Sequence, residues 1–322
     1  SEFPKNMKET EEIIGEGAVA FKLFMGEQIG GLNIDDDHAL LEAFQIVSKL
    51  KVPVVVHAED KTTLKKVEDE LKRHNRNDVE AFLKAHSENV ELTAVKRLLK
   101  IAEQTNVHVH FCHISTENGL KAIIDGKKSG TKITCETTPH HLFLSVDDLR
   151  RIGTLALTTP PIREKHHITA LWNGIRNGWI DILASDHAPH TLGEKKAESV
   201  WDVKVGVPGL ETTLPLLLTE VKHRRLSITD VVRLTSKNPA ELFGLKGRGY
   251  LKEGNNADLV VVDLDRKYRI DASKFHSKAK YSPFDGLSVE GKPVKTFVGG
   301  RLVMDEGEIV AEAGSGEIIR RE

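Results

Sequence analysis

Four short apolar runs in this 322-residue chain each end on a residue that can bind a metal or move a proton. They are Phe21-Lys22-Leu23-Phe24-Met25, Val54-Val55-Val56-His57-Ala58-Glu59, His110-Phe111-Cys112-His113-Ile114-Ser115 and Ala184-Ser185-Asp186-His187-Ala188-Pro189-His190. Neutral imidazoles and a carboxylate suit Zn²⁺ or a similar divalent ion. The spacing is far too long for a local metal finger, so the ligands must converge through the fold. His57 or His113 alone reads as an ordinary packed histidine. Together with Asp186, each at a strand end, they read as a metal centre. Lys22 is costly to bury as a bare ammonium. It either reaches the mouth of the fold and pairs with a carboxylate, or carries CO₂ as a carbamate that bridges two metals. Cys112 and Glu136 also end strand-like runs. They read as a small buried hydrophobe and a hydrogen-bond acceptor behind the ligands, with metal ligation as the alternative. One of His140 and His141, just after Pro139, reads as a support for the site.

The elements that position these residues alternate between strand and helix. Apolar residues on one face predict a helix over 35–50 with Leu40, Leu41, Phe44 and Val47 aligned. Further helices are expected at 62–74, 78–86, 88–105, 117–129, 168–177 and 210–223, and strands at 19–25, 52–57, 107–113, 132–136 and 180–185. Alternation of this kind predicts a parallel sheet. No glycine-rich phosphate loop follows the first strand, which disfavours a doubly wound nucleotide fold. A (β/α)8 TIM barrel places functional residues at its strand C-termini. Only five of its eight strands are legible, so at about 30 residues per βα unit some 90 residues of barrel would precede Ser1. The opening Ser1-Glu2-Phe3-Pro4 reads as a loop. After Gly254 the pattern becomes short strands and turns, which predicts a separate β unit. The expected division is a partial barrel over 1–250 and a β-sandwich portion over 251–322.

Composition narrows the function. The chain has 46 Lys and Arg against 48 Asp and Glu, which leaves no net field to attract nucleic acid or an anionic membrane. Aromatic residues make up 5%, too few for a base-stacking surface. No membrane span or signal peptide is legible. The two cysteines, Cys112 and Cys135, read as free thiols of a reducing, cytoplasmic setting.

Beyond the strand ends, two segments are distinctive: Cys135-Glu136-Thr137-Thr138-Pro139-His140-His141-Leu142-Phe143-Leu144 and Ala184-Ser185-Asp186-His187-Ala188-Pro189-His190-Thr191. With Pro208-Gly209-Leu210-Glu211-Thr212 and Tyr281-Ser282-Pro283-Phe284-Asp285-Gly286, they make the chain resemble the dihydroorotases of the amidohydrolase superfamily from about Val19 onward. The resemblance implies a barrel with a small β-sandwich, and reversible closure of N-carbamoyl-L-aspartate to L-dihydroorotate in pyrimidine synthesis. It implies two Zn²⁺ ions bridged by carbamylated Lys22, with His57 and His113 on the second metal. Asp186 would bind the first and act as base and acid. Two such cations lower the pKa of a water between them. His190 would hold the substrate carboxylate, and the backbone at Thr159, Pro208 and Gly209 would meet the ring. Hydantoinases and allantoinases share the Lys-His-His-Asp pattern but usually differ at Pro139-His140-His141-Leu142 and at His190. The family's first-strand His-x-His pair, and its Arg and Asn for the substrate carboxylate, do not occur in the chain. His108-Val109-His110 has the first spelling but sits on the strand of His113. The expectation is therefore a dihydroorotase lacking its N-terminal segment and inactive alone. A hydantoinase or allantoinase, or a non-catalytic scaffold for aspartate transcarbamoylase, are the alternatives.

Overall fold

The computed structural model describes residues 9–25 and 34–320. The loop expected at Ser1–Pro4 lies outside them. The chain divides into two compact units, Ser1–Val207 and Pro208–Glu322.

The first unit is built on five parallel strands in chain order: β1 (Phe21–Phe24), β2 (Val54–His57), β3 (Val109–Phe111), β4 (Ile133–Thr137) and β5 (Ile182–Leu183). Their register sets Phe24 beside His57, Val56 beside Phe111, Phe111 beside Cys135 and Thr137 beside Leu183. All strand C-termini therefore open at one end of the sheet. The β-branched run Val54-Val55-Val56 suits a central parallel strand with both faces covered. Among the described residues β1 and β5 are the ends of the sheet. A five-stranded parallel sheet of this kind is part of a barrel, as expected.

Helices α1 (Thr10–Gly15), α2 (Asp37–Leu50), α3 (Lys61–Arg73), α4 (Val79–Ala85), α5 (Glu88–Thr105), α6 (Glu117–Lys128), α7 (Pro139–Phe143), α8 (Val146–Ile152) and α9 (Lys165–Arg176) accompany the sheet. The apolar stripe of α5 (Val90, Ala94, Val95, Leu98, Ile101 and Ala102) is buried, as its 3.6-residue period requires. The capping residues matter most for the site, because each follows a strand tip closely. Asp60 accepts from Thr63 N at 2.9 Å and starts α3 three residues after His57. Thr116 accepts from Gly119 N at 3.1 Å and starts α6 three residues after His113. Thr138 accepts from His141 N and starts α7 two residues after Glu136. Each cap satisfies an otherwise unpaired helix N–H and fixes where the chain leaves the strand. The α7 turn was not expected from the sequence. At five residues it is too short to show periodicity, and Thr138-Pro139 is its only start signal.

The second unit begins with α10 (Leu210–Lys222), α11 (Ile228–Val232) and α12 (Asn238–Phe243). A π-helical stretch at 233–237 joins the last two. An antiparallel sheet follows: β6 (Leu259–Arg269), β7 (Ser288–Val298), β8 (Arg301–Asp305) and β9 (Glu308–Ile309). Where short strands were expected after Gly254, residues 259–269 form one long strand, β6, irregular between Asp263 and Lys267. The boundary between the compact units falls at 207/208. Within the second unit α10 packs on the sheet: Thr219 Oγ1 donates to Glu290 O and accepts from Glu290 N. Gly291 lies under Leu218 so closely that a Cβ would sit 2.5 Å from Leu218 Cβ. Among the described residues no helix is long and apolar enough to cross a membrane.

Candidate active site

A cavity of ≈ 710 Å³ opens at the strand ends of the first unit. Its wall includes Lys22, His57, His113, Thr159, Asp186 and His190. Six of the residues singled out from the sequence therefore share one cavity, although they span 168 positions of chain (190 − 22).

His57 and His113 are buried and touch: His57 Nδ1 lies 3.1 Å from His113 Nε2. The other nitrogen of His57, Nε2, faces Glu59 Oε2 at 2.9 Å. A carboxylate only accepts, so the proton sits on Nε2 and Nδ1 keeps its lone pair. Burial first, then the neighbouring His57 and Lys22, holds the pKa of His113 well below the usual histidine range. That ring is neutral at pH 7 and also has a lone pair to give. His113 Nδ1 is buried with no hydrogen-bond partner among the described residues.

Asp186 is half-buried at the end of β5. Burial raises its carboxyl pKa, Lys22 opposes the shift and Glu136 adds to it. Both His113 and Asp186 adopt the left-handed backbone region, with φ of 36° and 43°. Neither residue prefers it, and such strain collects where a side chain must be aimed.

Lys22 is exposed on β1, an end strand of the sheet among the described residues. Its Nζ donates to Cys112 Sγ at 2.9 Å and lies 5.0 Å from the Phe24 ring centroid. Burial pushes the Cys112 thiol up to about 12, so it is a neutral acceptor for Lys22. Glu136 accepts from His110 Nε2 at 3.0 Å. His140 is buried with Nε2 unpartnered among the described residues, while His141 spans from Thr138 Oγ1 to the Pro160 carbonyl, beside Thr159. Pro208 and Gly209 open the second unit, where the Gly209 carbonyl accepts from Thr213 Oγ1 at 2.8 Å.

The donor set fits a divalent cation. Two neutral imidazole nitrogens converge, a carboxylate and a lysine share their cavity, and one ring nitrogen is left unsatisfied. As the side chains stand, no three His, Cys, Asp or Glu among the described residues close around one point.

The sequence pointed to these residues but not to what holds them. Glu59 bridges His57 and His86, accepting from His86 Nδ1 at 2.8 Å. Burial raises its pKa, but His86 and His57 together outweigh that and keep it well below the usual range. Glu91 accepts four hydrogen bonds from Ser115 and Thr116, the N–H and hydroxyl of each, at 2.5–3.0 Å. Arg163 donates to Ser115 Oγ and to the His86 carbonyl, joining the two clusters. Glu59 had a local signal, two residues after His57. Glu91 and Arg163 had none.

Residues 13–303 match the amidohydrolase family. The chain is 35% identical to an L-hydantoinase of Paenarthrobacter aurescens, over 99% of this chain and 70% of that protein. It is 37% identical to a dihydroorotase of Methanosarcina acetivorans, over 98% and 68%. A solved L-hydantoinase (dihydropyrimidinase) from Arthrobacter aurescens superposes with a TM-score of 0.95, at 35% identity and over 99% and 72% of the two chains. The chain belongs to the amidohydrolase family. Within that family it falls in the cyclic-amidase branch that holds the dihydroorotases and hydantoinases.

The Glu59 bridge yields a prediction. Glu59→Gln keeps the size but replaces a charged acceptor with an amide, so His57 loses its fixed tautomer. Zn²⁺ affinity, measured by competition with a chromogenic chelator, should fall about 10–100-fold while the melting curve stays cooperative. Unchanged affinity would show that Glu59 does not prepare His57.

Proposed function

We propose that this amidohydrolase is a dihydroorotase. It would interconvert L-dihydroorotate plus water with N-carbamoyl-L-aspartate, in the cytoplasm, as part of pyrimidine synthesis. The observation that carries the reading is His190, a histidine in the wall of the Asp186 cavity. Its Nε2–H donates to the Val205 carbonyl at 3.0 Å. With that proton committed, Nδ1 meets a substrate carboxylate only when it too is protonated, which makes the bond charge-assisted. Unsubstituted hydantoin has no carboxylate to offer.

Lys22 as its carbamate, His57, His113 and Asp186 would hold two Zn²⁺ ions, whose chemistry is to polarise the attacked carbonyl and acidify water. The protein's own steps centre on Asp186. In hydrolysis it takes the proton of the attacking water as the new C–O bond forms. It then delivers that proton to the ring nitrogen as the C–N bond breaks. Its raised pKa suits both transfers, because a carboxylate that accepts a proton readily is the better base. Ring closure runs the same steps in reverse. Thr159 lines the cavity, and its backbone would meet the ring. Cys112, Glu136 and His140 serve behind the ligands.

The second reading is a hydantoinase, favoured by the 35% identity and the TM-score of 0.95 to L-hydantoinases. Turnover of both substrates separates the two. His190→Ala should lower kcat/KM for dihydroorotate by the equivalent of about 1.5–3 kcal/mol and leave hydantoin hydrolysis nearly unchanged. Equal losses would assign His190 to the fold or the metals.

Asp186→Asn should reduce kcat in both directions by roughly two to four orders of magnitude, with circular dichroism unchanged. Ordinary turnover in that variant would remove Asp186 from proton transfer. Carbamylation of Lys22 is checked separately. Zinc-loaded protein prepared in ¹³C-bicarbonate should give a carbamate carbon resonance that Lys22→Arg lacks. A resonance shared by both proteins, or absent from both, would refute it.

A further inference from the structure

Lys195 is 0% exposed. Its Nζ donates to the Leu157 carbonyl at 3.1 Å and to the Gly206 carbonyl at 2.9 Å. Among the described residues no acidic group pairs with it, and burial alone draws its pKa down to about 8. Enclosing an ammonium without a counter-ion is costly, and a methionine would fill the same space. A buried lysine retained on such terms needs a use for its N–H donors.

Its surroundings supply one. Residues 187–207 leave the sheet after Asp186 and return beside their own start. Ala188 N donates to Val207 O at 3.0 Å, and His187 and Val207 form a parallel bridge. Within this strap Lys195 N donates to Thr191 O at 3.1 Å and Lys204 N to Glu194 O at 3.0 Å. Gly206, at φ +130°, passes so close to Ala188 that a Cβ would lie 2.6 Å from its carbonyl oxygen. Gly206 N donates to Leu157 O at 2.8 Å, the same carbonyl that Lys195 holds. Leu157 stands two residues before Thr159, and Val205, whose carbonyl orients His190, stands one before Gly206.

We infer that Lys195 is a positioning residue: its side chain pegs the 187–207 strap to the segment carrying Thr159 and so fixes His190 opposite Asp186. The peg joins two segments that are 38 residues apart in sequence (195 − 157). It acts through Leu157 and Gly206, the near neighbours of Thr159 and of Val205. Its effect on substrate choice rests on the dihydroorotase reading above.

The test compares Lys195→Met, which fills the space but donates nothing, with Lys195→Arg, which keeps donors on a bulkier head. Both are made in the intact protein. In Lys195→Met, hydrogen exchange at the Ala188 and Gly206 amides should quicken. KM for dihydroorotate should rise about tenfold, the loss of roughly one hydrogen bond's worth of alignment, with kcat and zinc content little changed. KM for hydantoin should move much less. Lys195→Arg should show the same split, reduced, and it decides the matter if Lys195→Met does not fold. Unchanged exchange would overturn the peg. Quickened exchange with equal KM losses on both substrates, or with a fall confined to kcat, would overturn its role in placing His190. If the unaltered protein hydrolyses hydantoin but not dihydroorotate, the dihydroorotase reading fails. The exchange result then still decides whether Lys195 pegs the strap.

Discussion

The first unit depends on a buried carboxylate set between two histidines. Glu59 fixes the proton of His57 on one side and holds His86 on the other. From His86 the connection passes through Arg163 to Ser115, and from Ser115 to Glu91. Each of these groups would be expensive to bury alone. Together they form a frame in which nearly every donor meets an acceptor, and that frame reaches both imidazoles of the candidate metal site. The two imidazoles can be aimed because the groups behind them have little freedom.

The same logic accounts for the strain. His113 and Asp186 sit at strand ends with positive φ, where the chain turns sharply from sheet to loop. A residue there pays a conformational cost that the surroundings must repay. After His113 the repayment is visible: the next residues, Ser115 and Thr116, give four hydrogen bonds to Glu91, and Thr116 then caps α6. After Asp186 the strap closes on itself through Ala188 and Val207. In each case the strained residue is followed at once by an anchored exit, and after His113 that exit also caps a helix.

Lys195 and Lys22 show how differently one residue type is used within the first unit. Lys22 is exposed on β1, an end strand of the sheet among the described residues, with its amine at hand for chemistry beside a neutral thiol. Lys195 is enclosed and makes only carbonyl contacts, the pattern of a structural tie. The second unit keeps its own polar ties. Glu211, at the start of α10, accepts from the backbone N–H groups of His276 and Ser277.

The amino-acid sequence by itself determined the parallel-strand plan, the strand ends that carry Lys22, His57, His113 and Asp186, and the change to a β unit after Gly254. These are local matters: β-branched runs, 3.6-residue stripes and capping residues are written in consecutive positions. It also determined the family, through segments whose residues stand next to one another. Tertiary structure alone decided that Lys22 is exposed, that α10 belongs with the small sheet, and that Glu59, Glu91, Arg163 and Lys195 hold the site. Those outcomes rest on contacts between residues tens of positions apart. A buried Lys195 and an exposed one have the same spelling, and only the folded chain determines which carbonyls lie within reach of the amine.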